Sequence, residues 1–228
     1  MKFKRILTVC AVLALAATSA FADIAYIGQN NGTVIPPLQG WNGPLGMDFD
    51  VNSSINILYM GVYNANAIGD AELASQLQVA IFNRDTGLMV AGTEKTFQSD
   101  TAYTQLPGDV YDLFQSITLV TLAAGHYSVV AVGFNNSQPN GNSGFGGGVG
   151  AKEGILDGSI TYVGGSRYAG SNGTLFFPTT IDGGPPNRYD AGTFAVPEPG
   201  FYSIFAVFVV FALGLTGLFA SVRRRKNA

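Results

Sequence analysis

An all-β domain, folded as an antiparallel β-sandwich between two apolar terminal segments, is what the sequence predicts. Three observations lead there. Between Asp23 and about Thr193, Gly, Asn, Asp and Pro recur at short intervals with no long stretch of helical periodicity. Several segments alternate with period two, the mark of a strand with one buried face. Short turns join neighbouring segments and favour local antiparallel pairing over a parallel sheet, which would need helical crossovers.

The alternating segments come first. Met47, Phe49 and Val51 alternate with Asp48, Asp50 and Asn52; Ile55, Ile57 and Tyr59 alternate with Asn56, Leu58 and Met60; and Leu77, Val79 and Ile81 alternate with Gln76, Gln78 and Ala80. Asn83-Arg84-Asp85-Thr86-Gly87 has the composition of a hairpin turn closing on a positive-φ glycine, between a strand ending at Phe82 and another over Leu88 to Phe97. A second pair is expected over Leu113 to Val120 and Tyr127 to Phe134, joined by Ala123-Ala124-Gly125-His126. Residues 135 to 150 read as a long flexible surface loop, Leu175-Phe176-Phe177 as the last strand, and Gly183-Gly184-Pro185-Pro186 as the start of a linker.

The termini differ in kind from the middle. Residues 1 to 22 have a basic start, an apolar run from Ile6 to Ala17 and small residues around Ala20-Phe21-Ala22, the three parts of a signal peptide that a signal peptidase would cut before Asp23. Leu7-Thr8-Val9-Cys10 comes too early, and lacks the small residues, for a lipoprotein signal. Cys10 is the only cysteine, so the mature domain contains no disulfide and no thiol nucleophile. At the other end, Phe201 to Val222 is an apolar run of 22 residues, about 33 Å as a helix and long enough to span a bilayer. Arg223, Arg224, Arg225 and Lys226 follow it directly and favour the cytoplasmic side, so the domain faces outward.

The division is therefore a signal peptide over 1–22, an extracytoplasmic β-sandwich over 23–193, and a tail over 194–228 with a motif at 196–200, a transmembrane helix at 201–222 and a basic end at 223–226. Residues 23 to 196 carry five basic against 14 acidic side chains, a formal net charge of −9. A domain so charged repels nucleic acid.

The tail places Val196, Pro197, Glu198 and Pro199 ahead of the apolar run and the arginine cluster, and in that order it resembles a PEP-CTERM sorting domain. The resemblance covers about 33 residues at the end of the chain. It implies that an exosortase, a membrane-embedded cysteine transpeptidase-like enzyme, processes the protein near Pro197-Glu198-Pro199, and that the helix is a temporary anchor. It also implies a Gram-negative bacterium that makes extracellular polysaccharide, and a domain that ends at the cell surface or in the matrix. Gly200-Phe201-Tyr202 stands where such tails more often have Ser-Thr or Ala-Thr. The stretch Gly46 to Phe134 further resembles a jelly-roll-like module common in proteins with this tail, through Leu45 to Val51, Leu58 to Tyr63, Val79 to Gly87, Leu119 and Leu122 to Tyr127. That likeness carries a fold and no catalytic residues.

Candidate chemistry in the middle is sparse. Asp48, Asp50 and Asn52 put three oxygen-bearing side chains on one strand face, as a calcium ion needs, but the EF-hand positions for Gly and Glu hold Ser53 and Tyr59; a solvated strand face is the plainer expectation. His126, the sole histidine, has Ser128 nearby but no Gly-x-Ser-x-Gly elbow anywhere to complete a triad. Gly146-Gly147-Gly148-Val149-Gly150-Ala151 fits a dinucleotide-binding pattern in letters only, with no helix after it. Trp41, Tyr63, Tyr103, Tyr111, Tyr162, Tyr168 and Tyr189 lie in or near expected loops, where rings could stack on sugars or pack into the core. The expectation is a non-enzymatic surface or matrix protein without a cofactor. The alternatives are a carbohydrate-binding module for extracellular polysaccharide, with or without calcium, and a secreted glycoside hydrolase using a carboxylate pair.

Overall fold

The computed structural model describes residues 22–28, 39–65, 72–143, 150–170 and 172–197. The proposed leader before Ala22, the 201–222 helix and the basic end lie outside the described residues. All regular structure among the described residues is β. The strands are β1 (Ala22–Ile24), β2 (Tyr26–Ile27), β3 (Leu45–Val51), β4 (Ile55–Tyr63), β5 (Leu77–Asn83), β6 (Lys95–Phe97) and β7 (Asp112–Leu122). They continue with β8 (Gly125–Val132), β9 (Gly141–Asn142), β10 (Lys152–Glu153), β11 (Ile160–Tyr168), β12 (Thr180–Asp182), β13 (Tyr189–Asp190) and β14 (Gly192–Pro197).

A four-stranded sheet runs β1-β14-β4-β7 and a six-stranded sheet β12-β11-β3-β8-β5-β6, with small β10-β2 and β13-β9 pairs beside them. The pairings of β3 with β8 and β11, of β5 with β6 and β8, and of β4 with β7 and β14 are antiparallel. One core joins the two large sheets, as in a β-sandwich: Met47, Phe49, Val79, Ile81 and Val129 from the larger meet Ile57, Met60, Val62, Leu113 and Phe194 from the smaller. Each such side chain contributes about 1.5–3 kcal/mol by leaving water.

The hairpin at 83–87 forms as its residues predict. Asn83 Oδ1 accepts the N–H groups of Asp85 and Thr86 at 2.9 and 3.0 Å, and Gly87 takes a φ of 69° that closes the turn. The strand expected after it is broken, because a turn at residues 91 and 92, with Gly92 at φ 85°, interrupts the run. Only a bridge from Met89 to Phe82 and the three residues of β6 pair with β5.

The expected hairpin across residues 123–126 is not one. β7 pairs with β4 in the smaller sheet and β8 with β3 and β5 in the larger, so the chain crosses between sheets at Ala123-Ala124. A register shift between Ile57 and Tyr59 also breaks the alternation expected in β4. Ile55 and Ile57 face the main core, but beyond the shift Met60 and Val62 do so, while Tyr59 joins Ile24, Leu106, Phe114 and Ala195 on the opposite face.

Leu175-Phe176-Phe177 is no strand. The segment crosses the outer face of the six-stranded sheet, where Leu175 and Phe177 pack on Ala80, Phe82 and Val130. Gly183 to Pro186 form an exposed turn rather than a linker, after which the chain returns as β13 and β14. The stretch from Asn135 to Asn142 is tied down as well: Gln39 bridges Asn140, and Gln138, Asn140 and Asn142 are buried. The compact unit runs from Ala22 to Val196, with β14 extending past residue 193.

Candidate functional site

Two sets of sequence-derived candidates fall on described strands. Ala22 and Asp23 lie in β1, and Val196 and Pro197 in β14, its hydrogen-bonded neighbour in the smaller sheet. Ala20, Glu198, Pro199 and Arg223 to Lys226 lie outside the described residues. β14 is an interior strand. Its register with β4 runs from Gly192 opposite Val62 to Ala195 opposite Tyr59, and on its other side Phe194 O accepts the N–H of Ala25 at 2.8 Å. The Tyr26 N–H adds a bond to Thr193 Oγ1 at 3.1 Å. Period two explains the placement of the side chains: Phe194 enters the main core and Ala195 the outer cluster.

The second set is Asp48, Asp50 and Asn52. With Met47, Phe49 and Val51 committed to the core, Asp48 and Asp50 project to the outer face of the larger sheet. That face is not solvated at Asp48, which is 3% exposed. Arg167, carried by β11 opposite Gly46, donates Nε to both Asp48 oxygens at 2.9 and 2.8 Å. Arg84, from the turn after β5, reaches Asp48 with Nη1 at 3.5 Å and bonds Asp50 through Nη2. The Arg167 guanidinium also lies 5.1 Å over the ring of Phe177, the residue that crosses this face. Asn52 turns away and donates Nδ2 to Gly158 O at 3.0 Å and Thr161 Oγ1 at 2.8 Å. Two guanidinium groups thus neutralise the two carboxylates, in positions a bound cation would need. Among the described residues no group of three or more His, Cys, Asp or Glu side chains could hold a metal ion.

A carboxylate pair that sequence reasoning did not single out lies at Asp109 and Asp112, both buried. Their Oδ2 atoms converge on one donor, the Gly28 N–H, each at 3.0 Å. Asp109 Oδ1 also accepts the N–H groups of Tyr111 and Asp112 at 2.8 and 3.0 Å. Burial pushes the Asp112 carboxyl well above the usual range, and the charge of Asp109, a side-chain hydrogen bond to Asp109 and the charge of Asp190 push it further, against the Gly28 bond. Asp112 is thus the member of the pair whose ionisation the surroundings oppose. The same surroundings raise the neighbouring Tyr63 phenol, chiefly through burial and then through Asp190 and Asp112. Only the three-residue spacing was visible in sequence, and it carries no sign that Gly28 meets the pair from more than 80 positions away.

His126 Nδ1 is 3.1 Å from Asp85 Oδ1, both well exposed, while Ser128 is buried and donates to Met47 O at 3.2 Å. Trp41 meets Tyr168 edge-on at 6.1 Å and donates Nε1 to Ala169 O; both rings, like those of Tyr103 and Tyr162, pack against the main core. Tyr63 is buried and stacks on Tyr111 at 6.1 Å. Tyr189 is buried, with its hydroxyl on Asp182 and the Arg188 guanidinium 5.6 Å over its ring. Residues Gly146 to Val149 lie outside the described residues. No protein-family model matches the chain, and no curated protein matches it.

Proposed function

We propose that this chain is an exported surface or matrix protein of a Gram-negative bacterium. A non-enzymatic, jelly-roll-like β domain is carried across the inner membrane by a signal peptide and held briefly by the tail helix. An exosortase then handles the tail as a PEP-CTERM sorting signal. The observation that carries this reading is the order of the tail: Val196-Pro197-Glu198-Pro199, then the uncharged run 201–222, then Arg223 to Lys226, on a chain that opens with a leader. The packing of the aromatic residues and the arginine pairing of Asp48 and Asp50 support a structural over a catalytic role for the domain. Intact-mass measurement of the protein from an exosortase-bearing host tests the reading. A product beginning at Asp23 and lacking the 201–222 segment is expected, and a product that retains the tail in that host overturns it.

A further inference from the structure

The two large sheets end in four edge strands, and three of these are guarded. β1, β6 and β12 are each three residues long, and each carries a charge, from Asp23, Lys95 and Asp182. Short strands and charges keep a row of open N–H and C=O groups from pairing with another chain. The fourth edge has neither. β7 is 11 residues long, and from Leu113 to Leu122 it has no charged side chain, in a domain whose net charge is −9. Its one acid, Asp112, is buried at the start of the strand. The outer side of β7 is occupied only near that start, where Thr104 and Phe114 exchange backbone bonds at 2.8 and 2.9 Å. Among the described residues no backbone hydrogen bond reaches Ser116 to Thr121 from that side, and Ser116, Thr118, Leu119 and Thr121 are exposed.

The irregularity in β7 gives this edge a pattern. Ile57 of β4 pairs with Val120 and Tyr59 with Ser116, so Ile117, Thr118 and Leu119 stand opposite Leu58 alone. In an unbroken strand, residues three apart face opposite sides. Across this bulge Ile117 and Val120 both pack, half-buried, against the main core. A second β7 laid antiparallel can therefore set Ile117 opposite the partner's Val120 and Ser116 opposite the partner's Thr121, apolar against apolar and hydroxyl against hydroxyl.

We infer that the outer edge of β7 is the seam between two copies of this chain, which pair antiparallel about a two-fold axis between Thr118 and Leu119 and join their smaller sheets edge to edge. A second copy is the occupant that fits. The domain's charge repels its own kind, so a contact between copies falls where neither side brings a charge, and the register above is its own complement. Ser116 to Thr121 supply six residues a side, well short of the roughly 20–30 of a standard interface. The dimer is accordingly one that dissociates on dilution. The inference does not depend on how the chain is exported.

The test uses the full chain in detergent micelles, with Cys10→Ser removing its only cysteine. Ser116→Cys is made in one preparation and Thr121→Cys in another. Mild oxidation of the mixture should give at least about tenfold more disulfide-linked dimer than either variant alone, because the two positions face each other across the seam while each lies far from its own copy. Leu119→Asp, at a side chain 46% exposed, sets two like charges beside the axis and should remove the link without lowering the melting temperature. Thr118→Asp makes the same test independently. Equal linking in either cysteine variant alone, or a link that survives both aspartates, would trace association to another part of the chain and overturn the inference. So would a chain that stays unlinked at the highest concentration reached. A cysteine at 116 that links in cells to a different protein and not to this chain gives the edge to that partner and overturns it as well.

Discussion

The rings of Phe49 and Phe194 meet between the two sheets with centroids 4.9 Å apart and planes tilted by 39°. Both are fully buried, one from the centre of β3 and the other from β14, so the contact joins the larger sheet to the strand that ends the domain. Replacing Phe194 with Ala should destabilise the domain by about 3–5 kcal/mol through lost burial and a residual cavity. Urea unfolding of the wild-type and variant domains measures it; a loss below about 1 kcal/mol would contradict the packing.

The ionic cluster on the outer face makes a separate prediction. Asp48→Ala leaves Arg167 largely buried without its carboxylate and should cost about 3–5 kcal/mol. Pairing it with Arg167→Met removes both charges and should recover a large part of that loss. A double-mutant cycle in which the two changes simply add would show that Asp48 and Arg167 are not coupled.

The raised titration of Asp112, buried beside Asp109, gives stability a definite pH sign. Asp112 titrates higher in the folded chain than in the unfolded one, so the folded state holds a proton that the unfolded state releases above about pH 4. Its contribution is fully present below that point and is lost as pH rises through the folded pKa. Asp112→Asn keeps a donor toward Asp109 without the titration, and should flatten the decline in melting temperature on the alkaline side. An unchanged slope in the variant would rule the pair out as its source.

Asp182 works in the opposite direction. Burial opposes its ionisation, but hydrogen bonds from Tyr189, Gly184 and Arg188, together with the Arg188 charge, outweigh it and hold the carboxyl below its ordinary range. Its contribution is present above about pH 4 and is lost as pH falls through the lowered value. Asp182→Asn should therefore lose more stability at neutral pH than in acid, measured by thermal melts across that range.

At the tail, changing Glu198 and Pro199 to Ala removes the core of the proposed sorting signal, beyond the last residue of β14. Export and the fold of the domain should be unaffected, while the secreted fraction keeps the full mass of the unprocessed carboxyl end. A normally processed product would place recognition elsewhere.

The fold class was legible because alternation in β3 and β5, and the turn chemistry of Asn83 and Gly87, are local signals. Membership of a sheet is not local. Ala123-Ala124-Gly125 can close a hairpin or carry the chain across the sandwich, and the choice is made by β4 on one side and by β3 and β5 on the other. The same limit hid the partners of Asp48, since Arg84 and Arg167 lie 36 and 119 positions away. Leu175 and Phe177 resembled a strand because an apolar pair reads alike whether it lies in a sheet or across one. The Gly-Pro turn at 183–186 suggested an ending because nothing adjacent to it announces that Val196 is still needed.

The bond from Tyr26 to Thr193 spans 167 positions. On a chain synthesised from its amino end, the first strand of the domain must wait for the last before it finds its place. β4 and β7 can pair before the chain is complete, but β1 gains its place only when β14 arrives, and until then the smaller sheet stays unfinished. Under the proposed export reading, the yield of a domain with this topology should fall more steeply on depletion of periplasmic holding factors than that of a protein whose first and last segments never meet.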